Sequence, residues 1–332
     1  MLSSKNIYNV IGVMSGTSLD GIDFCYSEFT LKESYWSFSI KTCETILYNE
    51  YWAEKLSQAN NFHDTILFEL DKEYTSYLAT LINDFIKKYQ ITNIDFISSH
   101  GHTVYHQPEE NYTFQLGNRI ELRELIKKPV VCDFRVQDVA LGGQGAPLVP
   151  IGDLLLFKDF SHCINLGGFC NISIKNDSQI IAYDICPVNV VLNYLSKEIG
   201  FSFDKDGNHA KSGSVNKQLL KDLNQIQYYV EEPPKSLGIE WVKENIFKII
   251  DNYNITYEDK LRTYTEHICS QIAVNIDSDH PQILFTGGGV KNKFLMERLS
   301  KKMKLKFQLP EIEIIDFKEA LIFAFLGILK VR

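Results

Sequence analysis

The turn after the first apolar stretch of the chain carries residue types that can hold a phosphate group. It reads Ser15-Gly16-Thr17-Ser18-Leu19-Asp20-Gly21-Ile22-Asp23. Gly16 and Gly21 can adopt positive φ and let backbone N–H groups approach an anion, and the hydroxyl groups add donors. Asp20 and Asp23 would repel phosphate, so they fit better as ligands of a magnesium ion or of its waters. The same residues are typical of an ordinary hairpin, so this motif alone leaves both interpretations open.

Two later glycine turns have the same character. The first contains Gly167 and Gly168, and the second contains Gly287, Gly288 and Gly289 and ends at Asn292. The second turn follows a predicted strand and opens a predicted helix, so backbone N–H groups and the positive helix end would face a ligand. Three glycine turns at strand ends together favour a phosphate or nucleotide site.

The histidines and cysteines do not indicate a metal centre. His100, His102 and His106 lie in a loop-like run that offers no regular face on which their rings would converge. The seven cysteines are scattered without a C-x-x-C pair, so neither a disulfide framework nor a zinc site is predicted.

Composition narrows the class of protein. A chain of 332 residues is long enough for two domains with a cleft between them. Its 45% hydrophobic and 23% charged residues are ordinary for a globular protein, and a net charge of −8 disfavours nucleic acid or an anionic membrane as partner. The first residues lack the layout of a signal peptide, and no apolar run reaches about 18 residues. We therefore expect a cytoplasmic protein; a homodimer is left open.

Hydrophobic periodicity predicts a repeated order of elements. In the first half we expect strands at 7–14, 22–29, 35–42, 94–99 and 129–133, a helix over 64–89 with Asp64 as N-cap, and a helix over 119–128. In the second half we expect strands at 162–166, 171–174, 179–184, 282–286 and 311–315, with helices at 188–199, 256–275, from 293 and over 317–330. Residues 201–250 form an insertion with helices near 214–224 and 240–251.

Two copies of one βββαβα unit resemble the duplicated, ribonuclease H-like α/β architecture shared by actin, the sugar kinases and the heat-shock chaperone ATPases. We expect one lobe from residues 1–136 with the closing helix 317–332, and a second lobe from 137–316. In that class the nucleotide occupies the central cleft, so the glycine turns of the two halves are expected to face one set of phosphates.

Several motifs, in order along nearly the whole chain, resemble one family, the anhydro-N-acetylmuramic acid kinases of bacterial cell-wall recycling. The most distinctive is the aperiodic stretch Ala140-Leu141-Gly142-Gly143-Gln144-Gly145-Ala146-Pro147-Leu148-Val149-Pro150. The others are residues 12–23, 99–108, 133–138, 165–168, 203–207, 234–236 and 287–289, with Glu319-Ala320 and Phe323-Ala324.

The resemblance implies a reaction in which ATP and water open the 1,6-anhydro ring, giving N-acetylmuramic acid 6-phosphate and ADP. A carboxylate activates water for attack at the anomeric carbon, and the released O6 takes the γ-phosphoryl group. Asp184 is the predicted base, since it ends a predicted strand and matches the aspartate of the family's Asp-x-Gly-Pro-Gly-Asn motif. ATP and Mg²⁺ are the implied cofactors, with Asp20 as a metal ligand.

The resemblance also implies contacts for each ligand. The nucleotide is expected at Gly16, Thr17, Ser18, Leu19, Asp20, Gly21, Ile22, Asp23, Gly167, Gly168, Gly287, Gly288, Gly289 and Asn292. The sugar is expected at His102, Arg135, Asp138, Gln144 and Glu319.

The chain departs from the family pattern beside Asp184. Cys186 and Val188 replace both glycines of the motif, and a β-branched Val188 disfavours positive φ. Leu237 and Ile239 replace a threonine and an arginine in a later segment. A same-fold kinase for another amino sugar and a nucleotide-binding regulator without turnover are therefore the alternative functions.

Structural roles compete with the predicted site roles. Asp184 could cap the following helix, Glu319 could be a solvated first-turn residue, and Arg135 and Asp138 could pair as a bridge. Lys235 could be a surface lysine, and His102 fits the holding of a loop or a sugar hydroxyl better than proton transfer.

Overall fold

The computed structural model describes residues 5–16, 19–176, 179–276, 281–307 and 309–332. The chain divides into two compact units, Met1–Leu156 with Phe317–Arg332, and Phe157–Asp316. Residues 137–156 are predicted from the sequence to lie in the second lobe, but they belong to the first unit. The reason is their packing, because Gly152 lies against Ile322 and Asp153 forms a buried ion pair of 2.9 Å with Lys318.

The first unit is built on a mixed sheet whose strands run in the order β3-β2-β1-β4-β5, with β6 paired to β4. The strands are β1 Ile7–Ser15, β2 Gly21–Lys32, β3 Tyr35–Leu47, β4 Phe96–Gln107, β5 Tyr112–Leu116 and β6 Val130–Val131. β1 pairs antiparallel with β2 and parallel with β4, and every residue from Tyr8 to Ser15 is buried. This central position explains why β1 is apolar on both faces.

Five α-helices of the described residues up to Leu156 lie between these strands or follow the last of them in the sequence. They are α1 Glu50–Gln58, α2 Asp64–Lys88, α3 Glu121–Ile126, α4 Phe134–Ala140 and α5 Val149–Leu156. The apolar spacing of α2 places Leu67, Leu70, Tyr74 and Leu78 in the core, as predicted from its 3.6-residue period. Its N-cap is His63, so Asp64 is the first helical residue and not the predicted cap.

The second unit repeats the sheet order. Its strands β7 His162–Leu166, β8 Phe169–Asn176, β9 Gln179–Pro187 and β10 Ile283–Thr286 are arranged as β10-β7-β8-β9. As in the first unit, three strands pair antiparallel in succession and a later strand joins the first of them in parallel. This duplication confirms the predicted α/β fold class.

Helices surround this second sheet. They are α6 Asn189–Lys197, α7 Asn208–Ser212, α8 Lys217–Asn224, α9 Ile239–Val242, α10 Lys248–Asp251, α11 Tyr257–Val274 and α12 Lys293–Met303, with a π-helical turn at Lys243–Phe247. Within the described part of the chain, none of the helices has the length and apolar character needed to cross a bilayer.

The last helix, α13 Ile312–Val331, corrects the prediction of a strand at 311–315. Ile312 and Ile314 alternate with acidic neighbours over only a few residues, and so short a pattern does not separate strand from helix. From Phe317 onward α13 belongs to the first unit, where the carbonyl of Ala320 lies so close to Gly12 that a Cβ there would be 2.0 Å from it.

Candidate active site

In the first unit, a buried hydrogen-bond chain holds the end of β1. The Ser15 hydroxyl bonds to the Tyr48 hydroxyl at 2.7 Å and to His102 Nδ1 at 2.9 Å. Tyr48 bonds in turn to Tyr74 of α2 at 2.6 Å. Gly16, the first of the predicted nucleotide contacts, follows this serine directly. The next two predicted contacts, Thr17 and Ser18, lie outside the described residues.

The remaining residues of this turn divide between loop and strand. Among the residues of this turn from Leu19 onward, Leu19 has positive φ, at 59°, and Gly21 does not. Gly21 opens β2 and packs so tightly on β3 that a Cβ would lie 2.6 Å from the Ile46 carbonyl oxygen, while Ile22 is fully buried. Asp23 accepts a hydrogen bond of 2.5 Å from Thr45. Gly21 and Ile22 thus have packing roles that the sequence did not predict.

Asp20 is the exposed carboxylate of the turn. Among the described residues, no three acidic, histidine or cysteine side chains gather into a group that could hold a metal ion. A magnesium site at Asp20 therefore stays a prediction.

Arg135 and Asp138 of α4 both bond to the backbone of Gly145 instead of pairing with each other. Arg135 Nη1 donates to the Gly145 carbonyl at 2.8 Å, and Asp138 Oδ2 accepts from the Gly145 N–H at 2.7 Å. Gly143 lies against the same carboxylate, since a Cβ there would be 2.1 Å from Asp138 Oδ2. The two side chains thereby brace the loop that carries Gln144, whose side chain is exposed.

His100 bonds to Arg135 at Nε, whereas Gly145 bonds to it at Nη1. Its Nδ1 lies 2.8 Å from the Gly101 carbonyl oxygen and its Nε2 lies 2.7 Å from Arg135 Nε. A carbonyl can only accept, so Nδ1 carries the proton and Nε2 accepts from arginine. Burial lowers the pKa of His100 to about 3, and the charge of Arg135 acts in the same direction. Burial also lowers the pKa of His102 to about 4, so both rings are neutral near pH 7.

Glu319 lies beyond the first turn of α13, so it is not the first-turn residue considered from the sequence. Solvent reaches its side chain, but partial desolvation still raises the pKa of the carboxyl, whereas Arg135 and Lys318 lower it. Glu319 is also the acidic group whose charge supports that of the largely desolvated Arg135. The first unit therefore places Glu319 and Arg135 within electrostatic reach of each other.

In the second unit, the two glycine turns lie side by side at the ends of β7 and β10. Thr286 pairs with Asn165, and a Cβ on Gly287, whose φ is +85°, would lie 2.9 Å from the Leu166 carbonyl oxygen. Gly288 is exposed and has open space where a side chain would be. The N–H groups of Gly288 and Gly289 open a 3₁₀ turn, Gly288–Lys291, where helical geometry provides no acceptor for them. These donors are available to an anion.

Asn292 and Gly167 have structural partners within the same region. The Asn292 side chain caps α12 by accepting from the Leu295 N–H at 3.0 Å, and the Gly167 N–H donates to the Phe169 carbonyl at 3.1 Å. Gly168 is exposed between β7 and β8. That the turns of both units bind one triphosphate stays a prediction.

The segment after Asp184 shows how the replaced glycines are accommodated. Val188 has φ −124° and is fully buried, so the chain takes a path there that needs no glycine. The N–H groups of Val188 and Val190 donate to the Gly168 carbonyl at 2.8 and 3.2 Å. These two donors connect the segment after Asp184 to the turn that contains Gly167 and Gly168, so they are not available to a ligand.

Asp184 lies in β9, opposite Asn171 of β8. It does not cap α6, whose N-cap is Val188. Its Oδ2 accepts from the Leu237 N–H at 2.9 Å, and its carbonyl accepts from the Tyr228 hydroxyl at 2.6 Å. Burial raises the pKa of Asp184, and the Leu237 N–H opposes this by stabilising the carboxylate. A partly desolvated carboxylate with one oxygen fixed is suited to accept a proton from water.

Several neighbours of the predicted residues were not predicted as contacts. In the first unit, Tyr48 and Tyr74 belong to the hydrogen-bond chain at Ser15; in the second unit, Tyr228 and Leu237 bond to Asp184 through a hydroxyl group and a backbone N–H. Of these, only position 237 lay near a recognised motif, because it follows Pro234-Lys235-Ser236.

Comparisons with known proteins agree with the motifs. Residues 8–332 match the profile of the family described as anhydro-N-acetylmuramic acid kinase. The chain is 34% identical to anhydro-N-acetylmuramic acid kinase of Pseudomonas syringae pv. syringae over 343 residues, covering 96% of this chain and 91% of that protein. The relative of the same name from Sulfurimonas denitrificans is 34% identical over 346 residues, with the same coverage.

A solved structure supports the fold. Component A of (R)-2-hydroxyglutaryl-CoA dehydratase from Acidaminococcus fermentans aligns over 97% of this chain and 98% of its own, with a TM-score of 0.50 at 10% identity. At that identity the similarity concerns the fold alone.

Proposed function

We propose, because the chain belongs to the anhydro-N-acetylmuramic acid kinase family, that it uses ATP and water to convert anhydro-N-acetylmuramic acid to N-acetylmuramic acid 6-phosphate and ADP. The observation that carries the proposal is Asp184, a partly desolvated carboxylate held by a backbone N–H. ATP is a cytoplasmic co-substrate, so we place the activity in the cytoplasm.

The glycine turns of the second unit fit a nucleotide. No protein atom lies within 4 Å of the position that a Cβ of Gly288 would occupy. The N–H groups of Gly288 and Gly289 have no acceptor within the helical turn. Such donors at the start of a helical turn favour an anion. We propose that this turn contacts ATP, with Gly168 beside it.

Magnesium fits the exposed Asp20 carboxylate because this ion usually keeps several waters and takes one or two carboxylates together with substrate phosphates. When bound, magnesium would neutralise charge on the transferring phosphoryl group. Asp20 is the residue that we propose to hold it.

The chemistry at the sugar requires a base and a held substrate. Asp184 accepts a proton from the water that attacks the anomeric carbon, and the bond from that carbon to the bridging oxygen breaks. The released O6 takes the γ-phosphoryl group from ATP, which leaves ADP. Glu319 and Gln144 are exposed for sugar contact. Arg135 and Asp138 support the loop that presents Gln144, so we propose that their effect on the sugar is largely through that loop.

The test is an assay of the purified protein with ATP, Mg²⁺ and anhydro-N-acetylmuramic acid, in which ADP and a sugar 6-phosphate are expected. Asp184→Asn should lower turnover by about 10²-fold or more while ATP binding stays intact, because a general base contributes about that factor. Asp251→Asn, an exposed helical position in the same unit, is the control and should behave as the unaltered protein. Equal ADP formation without sugar, or full turnover in Asp184→Asn, would contradict the proposal.

A further inference from the structure

The part of the helical insertion that contacts Asp184 is a short segment, residues 228–237, which we call the clamp segment. β9 is the outer strand of its sheet, so the edge of Asp184 that faces away from β8 is open to another partner. The clamp segment fills this edge, since the Asp184 N–H donates to the Lys235 carbonyl at 3.2 Å. With the Tyr228 and Leu237 bonds, Asp184 is held at its N–H, its carbonyl and one carboxylate oxygen.

Lys235 keeps the clamp segment folded on itself. Its ammonium donates to the carbonyls of Tyr228 and Glu231, at 3.1 and 2.8 Å, and lies 4.8 Å from the centre of the Tyr228 ring. Two carbonyls and a ring face thus surround one cation. Lys235 is therefore an internal brace and not the free surface lysine considered from the sequence.

A buried network fixes the start of the clamp segment. The Tyr229 hydroxyl lies 3.0 Å from His267 Nε2, and His267 Nδ1 lies 2.7 Å from Asn224 Oδ1. Trp241 packs against both tyrosines, with ring centres at 5.2 Å from Tyr228 and 6.3 Å from Tyr229. Residues of α8, α9 and α11 therefore hold the segment that reaches Asp184.

We propose that the clamp segment is a positioning device for the catalytic base, in which the Leu237 N–H holds Oδ2 so that Oδ1 is presented to the attacking water. Tyr228 and Lys235 act through this segment and touch no reactant. The inference rests on the proposed function, because it assumes that Asp184 is the base. The donor is a backbone N–H, so the bond does not depend on the side chain at position 237.

The proposal makes a pH-dependent prediction because the Leu237 N–H stabilises only the charged carboxylate. The titratable groups around Asp184 are Tyr183, Cys170, Cys186, Tyr228, Lys235, Glu231 and Glu232, of which the two glutamates are exposed to solvent. Burial raises the pKa of Cys170, Tyr183 and Tyr228, and Lys235 remains a cation in acid. Asp184 is thus the group expected to set the acidic limb of turnover.

Leu237→Pro removes the N–H, and Leu237→Ala is the matched control that keeps it. A hydrogen bond to a charged group of ordinary strength corresponds to a pKa change of about one unit. The acidic limb of kcat should therefore move up by about one pH unit in Leu237→Pro and stay in place in Leu237→Ala, with KM for ATP unchanged in both. An acidic limb at the same pH in both variants would overturn the proposal.

If Leu237→Pro does not fold, a second variant, Tyr228→Phe, tests the same proposal. Tyr228→Phe keeps the ring that Lys235 contacts and removes the bond to the Asp184 carbonyl, so it should lower kcat several-fold and raise the acidic limb slightly. A folded Tyr228→Phe protein with unchanged kcat and pH profile would exclude the clamp role. If Asp184→Asn retains full turnover instead, the base assignment itself fails, which separates the two outcomes.

Discussion

At the scale of single residues, two buried histidines of the first unit act as neutral hydrogen-bonding groups. His100 accepts a hydrogen bond from Arg135 and donates one to the Gly101 carbonyl, and His102 bonds to Ser15 at the end of β1. Both are only 3% exposed. The sequence showed the histidines but not the side chains that they bond to, because Arg135 and Ser15 come from distant parts of the chain. Because burial lowers the pKa values of both histidines, these residues make the free energy of unfolding depend on pH.

The free energy of unfolding should fall as pH drops from about 6.5 to 4. In the folded protein the pKa values of His100 and His102 are about 3 and about 4, below the ordinary 6.5, so over most of this range these two side chains bind protons mainly in the unfolded chain. Each histidine should contribute about 1.4 kcal/mol per pH unit. Urea unfolding at several pH values measures the slope, which should be shallower in His102→Gln. His63→Gln, at an exposed position, is the control, and equal slopes in the two variants would refute this account.

At the scale of elements, glycines have two different roles: one allows close packing of two backbones, and the other leaves open space. Gly12 is required for packing, because the Ala320 carbonyl occupies the place of its Cβ, while Gly288 has nothing within 4 Å of that place. Both occur in motifs that the family resemblance covers. Only the structure separates a glycine kept for packing from one that leaves room for a ligand.

Gly288→Ala should therefore leave the melting temperature unchanged and weaken ATP binding by about tenfold or more, equivalent to about 1.4 kcal/mol. The added methyl group meets no protein atom within 4 Å but would lie where we propose that ATP approaches. Titration calorimetry with ATP gives the affinity, and calorimetric melting gives the stability. Gly289→Ala is the contrasting variant and should lower stability, because its Cβ would lie 2.9 Å from the Leu166 carbonyl oxygen. Unaltered ATP affinity in Gly288→Ala would move the nucleotide away from this turn.

The elements that the sequence predicted well are those with long, regular patterns. The strand at His162–Leu166 and the helices α2 and α11 match the prediction closely. The helices α1, α4 and α5 and the strand β5 were missed because they are short, at five to nine residues. Asp184 was predicted from a motif, but its clamp was not, since a hydrogen bond from a backbone N–H 53 residues away leaves no periodic signal.

At the scale of the whole molecule, the first unit is assembled from both ends of the chain. Residues 317–332 supply a helix whose Leu321, Ile322, Phe323 and Phe325 are almost completely buried. Ser98 of β4 donates to the Phe323 carbonyl at 2.6 Å, and Lys330 donates to the Cys132 carbonyl at 2.7 Å. The second unit is formed by one continuous stretch, Phe157–Asp316.

A chain that ends at Asp316 should lose the fold of the first unit and keep that of the second. Four large buried side chains are removed with the helix, and each contributes about 1.5–3 kcal/mol when fully buried. Limited proteolysis with mass spectrometry should show rapid cleavage within residues 5–156 and protection of 157–276. A chain that ends at Lys330 is the control and should resist cleavage throughout. Equal resistance of the first unit in both shortened chains would contradict the packing described.

The division of the first unit between the two chain ends also orders events on the ribosome. The central segment contains all of its own sheet and can fold while synthesis continues, although its residues are made second. The amino-terminal segment must wait for residues 317–332 to be translated and to leave the exit tunnel. Throughout that interval, the apolar face of β1 and β4 that the last helix covers in the folded protein is exposed. This is the period in which binding of a chaperone is needed most.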